Sequence, residues 1–364
     1  MGFYRSLARP LLFSLEAETA HRLALSAAAR GAWAAGPARR LTAFADPRLE
    51  TTVAGLTFAT PVGLAAGFDK SGTAVPMLAA LGFGSVEIGS VSADASAGNP
   101  RPRLFRLPDD RAIAVAYGVP NDGARIVAER VRGLRLPVPL GINIVKTNRG
   151  RGAPAETPDE IIADYVGAAR VLAPVADYLM FNLSCPNTVD GRDFFADSGR
   201  LRACLAALSD VDFARPVFLK MSPLGGIATI ERLLAEAQSA PFVSGFMFNL
   251  PPGKPERLKT PEAVWRDMPG AVSGPPCAAL ADFCLRETFR RMDRRKYALI
   301  SAGGIFSAED AYAKLKLGAS LVQMLTALVY EGPGIAHRVT RGLAALLERD
   351  GVRHVGDIVG VAAD

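Results

Sequence analysis

The chain has 364 residues, of which 49% are hydrophobic and 35 are glycine, a composition that fits one large buried core reached through many tight turns. Its formal charge of +6 comes from lysines and arginines that are scattered, never five in a row and not interleaved with aromatics, which speaks against a nucleic-acid partner. Four cysteines without a C-x-x-C pair and three histidines, none at metal spacing, speak against zinc and iron–sulfur sites and fit reduced thiols in a cytoplasmic compartment.

Residues 3–35 read as two short helices broken near Pro10. Phe3, Leu7, Leu11 and Leu12 belong to the first, and Leu15, Ala20, Leu23, Ala24, Ala27, Ala28 and Trp33 give the second an apolar side. Arg5, Arg9, Arg22, Arg30, Arg39 and Arg40 stand against only Glu16 and Glu18. Such a pair either lies in a membrane interface or packs as a hairpin on the body of the protein. Gly36-Pro37 breaks the pattern and opens a linker, which divides the chain into an arm, 1–40, and a larger unit, 41–364. No run is apolar for long enough to span a bilayer, and no cleavable signal pattern is visible.

From residue 53 onward, strand-like runs alternate with helix-like segments. The predicted strands are 62–66, 85–90, 140–145, 178–183, 217–221, 245–249, 298–302 and 321–326. The predicted helices are 73–81, 122–133, 158–173, 198–208, 227–239, 277–291, 307–317 and 334–349. Eight such units predict an α/β fold, a closed (β/α)8 TIM barrel, because each parallel strand needs a right-handed helical crossover to reach the next. The connections 91–120 and 250–276 are longer than a crossover requires and read as lids or substrate walls at the C-terminal face.

Polar residues at the strand ends carry the chemistry. The first strand runs into Ala65-Ala66-Gly67-Phe68-Asp69-Lys70, which puts a cation at the barrel mouth unless Lys70 is simply a surface lysine. Met180-Phe181-Asn182-Leu183-Ser184-Cys185-Pro186-Asn187 sets two carboxamides five residues apart with a thiol between them. That pattern can hold a planar heterocycle and take a proton from it, or it is an Asn-rich turn with Cys185 as a small buried hydrophobe. Asn143, Lys220 and Asn249 end further strands, and their convergence with Lys70 and Asn182 on one face is economically read as the site of a polar planar cofactor. Gly303-Gly304 and Leu325-Thr326 follow the last two strands, where barrels bind phosphate on backbone N–H groups. Neither a Walker A sequence nor G-x-G-x-x-G after a strand occurs, so flavin mononucleotide (FMN), with its single phosphate, suits the chain best.

At this point the sequence resembles the dihydroorotate dehydrogenase family in its membrane-associated, quinone-using (class 2) form. The resemblance runs through Glu18-Thr19-Ala20-His21-Arg22-Leu23, Pro61-Val62-Gly63-Leu64-Ala65-Ala66-Gly67-Phe68-Asp69-Lys70, Gly98-Asn99-Pro100-Arg101-Pro102-Arg103-Leu104-Phe105-Arg106-Leu107, Gly318-Ala319-Ser320-Leu321-Val322-Gln323 and Tyr330-Glu331-Gly332-Pro333. It implies oxidation of dihydroorotate to orotate in pyrimidine biosynthesis by a monomer bound peripherally to the cytoplasmic face of the cell membrane. It implies FMN contacts from Ala66, Gly67, Lys70, Ser90, Asn143, Asn182, Lys220, Gly274, Gly304, Leu325 and Thr326, and substrate contacts from Lys70, Asn182, Asn187 and Asn249. Cys185 falls on the catalytic base, and His21 and Arg106 fall on positions lining the quinone tunnel.

The chain departs from the family pattern at the substrate end. The base of the membrane-associated class is usually serine, and the substrate-facing loop is usually Asn-Arg-Tyr/Met-Gly-Phe-Asn where this chain has Val115-Ala116-Tyr117-Gly118-Val119-Pro120. Leu250 stands for a threonine and Leu325 for a tyrosine. These changes keep two other readings open, a paralogous flavoenzyme acting on a different ring and a flavin-binding membrane protein without turnover.

Overall fold

The computed structural model describes residues 4–150, 152–185 and 194–363. Eight parallel strands close into one barrel: β1 (Val62–Leu64), β2 (Ser85–Val91), β3 (Leu140–Ile144), β4 (Tyr178–Asn182), β5 (Val217–Met221), β6 (Val243–Phe248), β7 (Ala298–Ala302) and β8 (Leu321–Met324). They follow chain order around the ring, and β8 closes on β1 with Val322 beside Val62. Alternate residues face the axis and the helices. On β4, Tyr178 and Met180 point inward against Phe218, Met247 and Ile300, whereas Leu179 and Phe181 join the layer between strands and helices. Burial on both faces is why these strands read as unbroken apolar runs.

The crossover helices lie where periodicity put them, to within two residues or so at each end. Two have capping boxes, Thr157 with Glu160 and Ser307 with Asp310, each satisfying backbone N–H groups of the first turn. A short hairpin, Thr51–Val53 with Leu56–Phe58, inserts Val53 and Phe58 into the inward cluster and stoppers the N-terminal end of the barrel. The C-terminal strand ends are left to carry the site.

The N-terminal arm corrects two expectations. Its helices are α1 (Arg9–Ser14), α2 (Ala17–Arg30) and α3 (Ala35–Thr42). A π-helical turn, Tyr4–Ala8, runs into α1 at Arg9, so near Pro10 the helix changes type without ending, and the chain leaves the helix only at Leu15-Glu16. Glu16 caps α2 by accepting from the backbone of Glu18 and Thr19 at 2.8 and 2.7 Å. The linker expected at Gly36-Pro37 is helix α3, with Pro37 in its first turn.

The two long connections also behave differently from independent lids. Ala112–Val115 pairs with Leu104–Leu107 on one side and with Ala271–Ser273 on the other, making one antiparallel sheet over the barrel mouth. The arm is fastened to this sheet and to the last βα loop. Glu18, 5% exposed, binds Arg103 and Arg101 at 2.9 and 3.1 Å; Glu331 takes Arg5, Arg111 and Arg338. The inward side of α2 (Ala17, Ala20, His21, Ala24) faces the barrel, while Leu11 and Trp33 stay 69% and 85% exposed. The arm therefore packs on the body with one apolar side and presents another to its surroundings.

Candidate active site

One cavity of about 680 Å³ runs from the C-terminal strand ends to the arm, a size that suits a cofactor with a small second ligand. It is lined by Ala66, Gly67, Lys70, Ser90, Asn182, Cys185, Lys220, Asn249, Gly274, Gly304, Leu325 and Thr326 at the barrel, and by His21 and Arg106 toward the arm. Of the residues singled out in the sequence, Asn143 is absent from this lining and Asn187 lies outside the described residues.

The barrel half is wired by side-chain amides. Asn249 donates to the Asn182 Oδ1 at 2.7 Å and to the Ser184 carbonyl at 2.9 Å. Asn182 donates to the Ser90 hydroxyl at 3.3 Å, and Ser90 donates to Asn143 Oδ1 at 2.5 Å. Asn143 sits one layer deeper, fully buried, and gives its Nδ2 to Glu87 at 2.9 Å. The end of β4 is fixed by Tyr165, whose hydroxyl donates to the Asn182 carbonyl at 2.7 Å. Three residues beyond Asn182, Cys185 is 4% exposed and lines the cavity.

Two lysines give this half its charge. Burial pushes the Lys70 ammonium down to about 8; its Nζ donates to the Gly67 carbonyl at 2.7 Å and lies 3.8 Å over the Tyr117 ring. Lys220 is likewise lowered by burial, and among the described residues its Nζ makes no hydrogen bond or ion pair. A half-buried ammonium that makes no hydrogen bond or ion pair among the described residues is built for a ligand acceptor. On the opposite wall Gly303 and Gly304 turn at φ of 97° and 78°, and a Cβ on Gly304 would meet that of Ala278 at 2.6 Å, so only glycine brings this backbone to the cavity. Ser273 and Thr326 hydroxyls lie 2.9 Å apart beside it.

The arm half is apolar. Leu12, Phe13, Ala24, Phe68, Leu78 and Val329 are among its walls. His21 packs edge-on to Phe68 with centroids 4.9 Å apart, and burial, then Lys70, pushes its imidazole down to about 3, so it is neutral at physiological pH. Arg106 donates to the Leu12 and Leu15 carbonyls at 3.1 and 2.7 Å and covers the Phe13 ring, which fixes the bend between α1 and α2. Val115, Val119 and Leu250 line the same space, so the substrate-end departures do face the cavity, whereas Ala116 is buried outside it.

Sequence reasoning missed Glu87, Gln323, Ser273 and the Tyr117 hydroxyl. Glu87 left one legible signal, a lone charge in the otherwise uncharged strand run Val86–Val91. The others carry no local signature, since their place in the site depends on which strands close the ring.

The dihydroorotate dehydrogenase family profile matches residues 48–347. The chain is 42% identical to a dihydroorotate dehydrogenase (quinone) of Sphingopyxis alaskensis over 98% of this chain and 97% of the relative. It is 40% identical to that of Deinococcus deserti over 99% and 100%. Among solved structures, DHODH from Eimeria tenella in complex with ferulenol superposes with a TM-score of 0.82 at 29% identity, covering 94% of this chain and 95% of that one.

Proposed function

The chain belongs to the dihydroorotate dehydrogenase family, and from that premise we infer that it oxidises dihydroorotate to orotate with a quinone as electron acceptor, in pyrimidine biosynthesis. We propose FMN as its cofactor. The observation that carries this is the unpartnered Lys220 ammonium in the cavity floor, opposite a glycine turn that exposes backbone and beside a wired row of carboxamides. Ala66, Gly67, Ser90, Asn182 and Lys220 would hold the ring system; Gly274, Gly304, Leu325 and Thr326 would hold the phosphate end. Asn143 would act from beneath, by orienting Ser90. When bound, the flavin supplies the two-electron chemistry that links the two substrates.

The chain's own residues supply binding and proton transfer. Lys70, Asn182 and Asn249 would position the dihydropyrimidine, with Lys70 facing its carboxylate, and Cys185 would take the proton from C5 as a thiolate. The quinone would enter between the arm and the barrel, past His21 and Arg106, along walls that exclude water. We further propose that the arm rests on the membrane surface at its cytoplasmic face, supported by its exposed leucines, Trp33 and arginine excess, and that the protein works as a monomer. Among the described residues no helix is long and apolar enough to cross a membrane.

Two measurements test this reading. The purified protein is expected to release FMN on denaturation, and anaerobic dihydroorotate is expected to bleach it; a protein that takes up no flavin on reconstitution refutes the cofactor. The second concerns Lys70. Its cation is present below pH 8 and is lost as pH rises through its lowered value of about 8, so KM for the anionic substrate should climb by about tenfold per pH unit above that point. Lys70→Met should show a raised KM with no such climb. A flat wild-type profile between pH 7 and 9.5 would remove Lys70 from carboxylate recognition.

A further inference from the structure

Glu87 lies on β2 inside the barrel, 1% exposed, one layer beneath the row of carboxamides. Three groups from three other strands donate to it: Asn143 Nδ2 at 2.9 Å, Gln323 Nε2 at 2.8 Å and the Tyr178 hydroxyl at 3.1 Å. Every contact is donated to Glu87 and none by it, so the pocket is built for a carboxylate, and an uncompensated buried carboxylate is costly. No guanidinium or ammonium touches it among the described residues. The charge that answers it is Lys220 on β5, which by strand alternation with inward Phe218 shares the barrel interior and makes no hydrogen bond or ion pair among the described residues.

We propose that Glu87 is a positioning residue for the flavin floor: its buried carboxylate shares the barrel interior with Lys220 and orients that ammonium toward the cofactor, while its bond to Asn143 anchors the carboxamide row above. The inference rests on the flavin reading. Burial works against the Lys220 cation, and the carboxylate whose field supports it is Glu87. Glu87 is not part of the cavity lining and would act only through Lys220 and Asn143.

A charge-removing variant has a ready accommodation. Gln323 Oε1 is buried and has no hydrogen-bond partner, so reversing that amide would present an acceptor to the new amide of Glu87→Gln. Apoprotein is titrated with FMN, and the reduction potential of the holoenzyme is measured at fixed pH. E87Q is expected to bind FMN about tenfold more weakly, the loss of one charge-assisted hydrogen bond, and to have a more negative potential. E87D, which keeps the charge on a shorter side chain, should stay near wild type in potential even if it melts lower. In a Lys220→Met background E87Q should add little further change in potential.

If E87Q lowers the melting temperature but leaves FMN affinity and potential at wild-type values, Glu87 is only structural. If E87D behaves as E87Q, shape rather than charge matters, and the proposal falls; it falls equally if E87Q shifts the potential just as far without Lys220. Failure of the wild-type apoprotein to take up FMN would instead bring down the flavin reading, a result distinct from all of these.

Discussion

Replacing Cys185 with alanine is expected to slow the anaerobic reduction of the bound flavin by dihydroorotate by roughly 10²–10⁴-fold, the usual range for removal of a general base. The fold should tolerate the change, because the side chain lines the cavity and carries only one sulfur beyond alanine. Asn182 and Asn249 keep their mutual bond, so FMN content and substrate affinity should change little. Reoxidation by quinone, which does not use this thiol, is the internal control and should keep its wild-type rate. Cys185→Ser should fall between the two and move its pH dependence upward, since a hydroxyl gives up its proton far less readily than a thiol. Unchanged single-turnover reduction in the alanine variant would show that another group takes the proton.

Removing residues 1–42 is expected to abolish vesicle binding and quinone reduction together while leaving flavin reduction by dihydroorotate measurable. The arm supplies one wall of the apolar half of the cavity through Leu12, Phe13, His21 and Ala24, and none of the amide row. Deletion also strips Arg103 of Glu18, although that guanidinium keeps the Ala97 and Asn99 carbonyls at 2.7 and 2.8 Å. Some loss of stability is therefore expected from the truncation itself. The substitutions Leu11→Glu and Trp33→Glu avoid that cost, because both side chains are exposed and make no wall of the cavity. They should release the protein from vesicles yet leave reduction of a short-chain soluble quinone intact. If the doubly substituted protein sediments with vesicles as the wild type does, the arm is a packed hairpin and the membrane reading is wrong.

The barrel was legible in the chain because its signal is local and repeated. Each strand is buried on both sides and each helix on one, so eight apolar runs and eight amphipathic segments declared themselves, and the crossover rule closed them into a ring. That Lys70, Asn182, Cys185, Lys220 and Asn249 line one cavity was legible for the same reason, since a parallel barrel gathers its C-terminal strand ends on one face. Chain punctuation was less reliable: Pro37 read as a break, yet it occupies a helix first turn, where proline breaks nothing, and at Pro10 the helix changes type without ending.

What the tertiary structure alone decided involves partners far apart in the chain. The sheet over the mouth joins Ala112–Val115 to Ala271–Ser273, strands too short to announce themselves and remote in sequence. Asn143 was expected in the cavity and lies beneath it, because the deeper acceptor Glu87 and the nearer Ser90 together take both ends of its amide. The arm packs on the body, because α2 spends one apolar side on the barrel, while Leu11 and Trp33 stay outside, the feature on which the proposed membrane contact rests. Sequence by itself determined which residues are apolar, how they repeat and therefore which elements form; only closure of the ring determined which buried polar groups meet, because a hydrogen bond is satisfied by proximity in space and leaves no periodic trace along the chain.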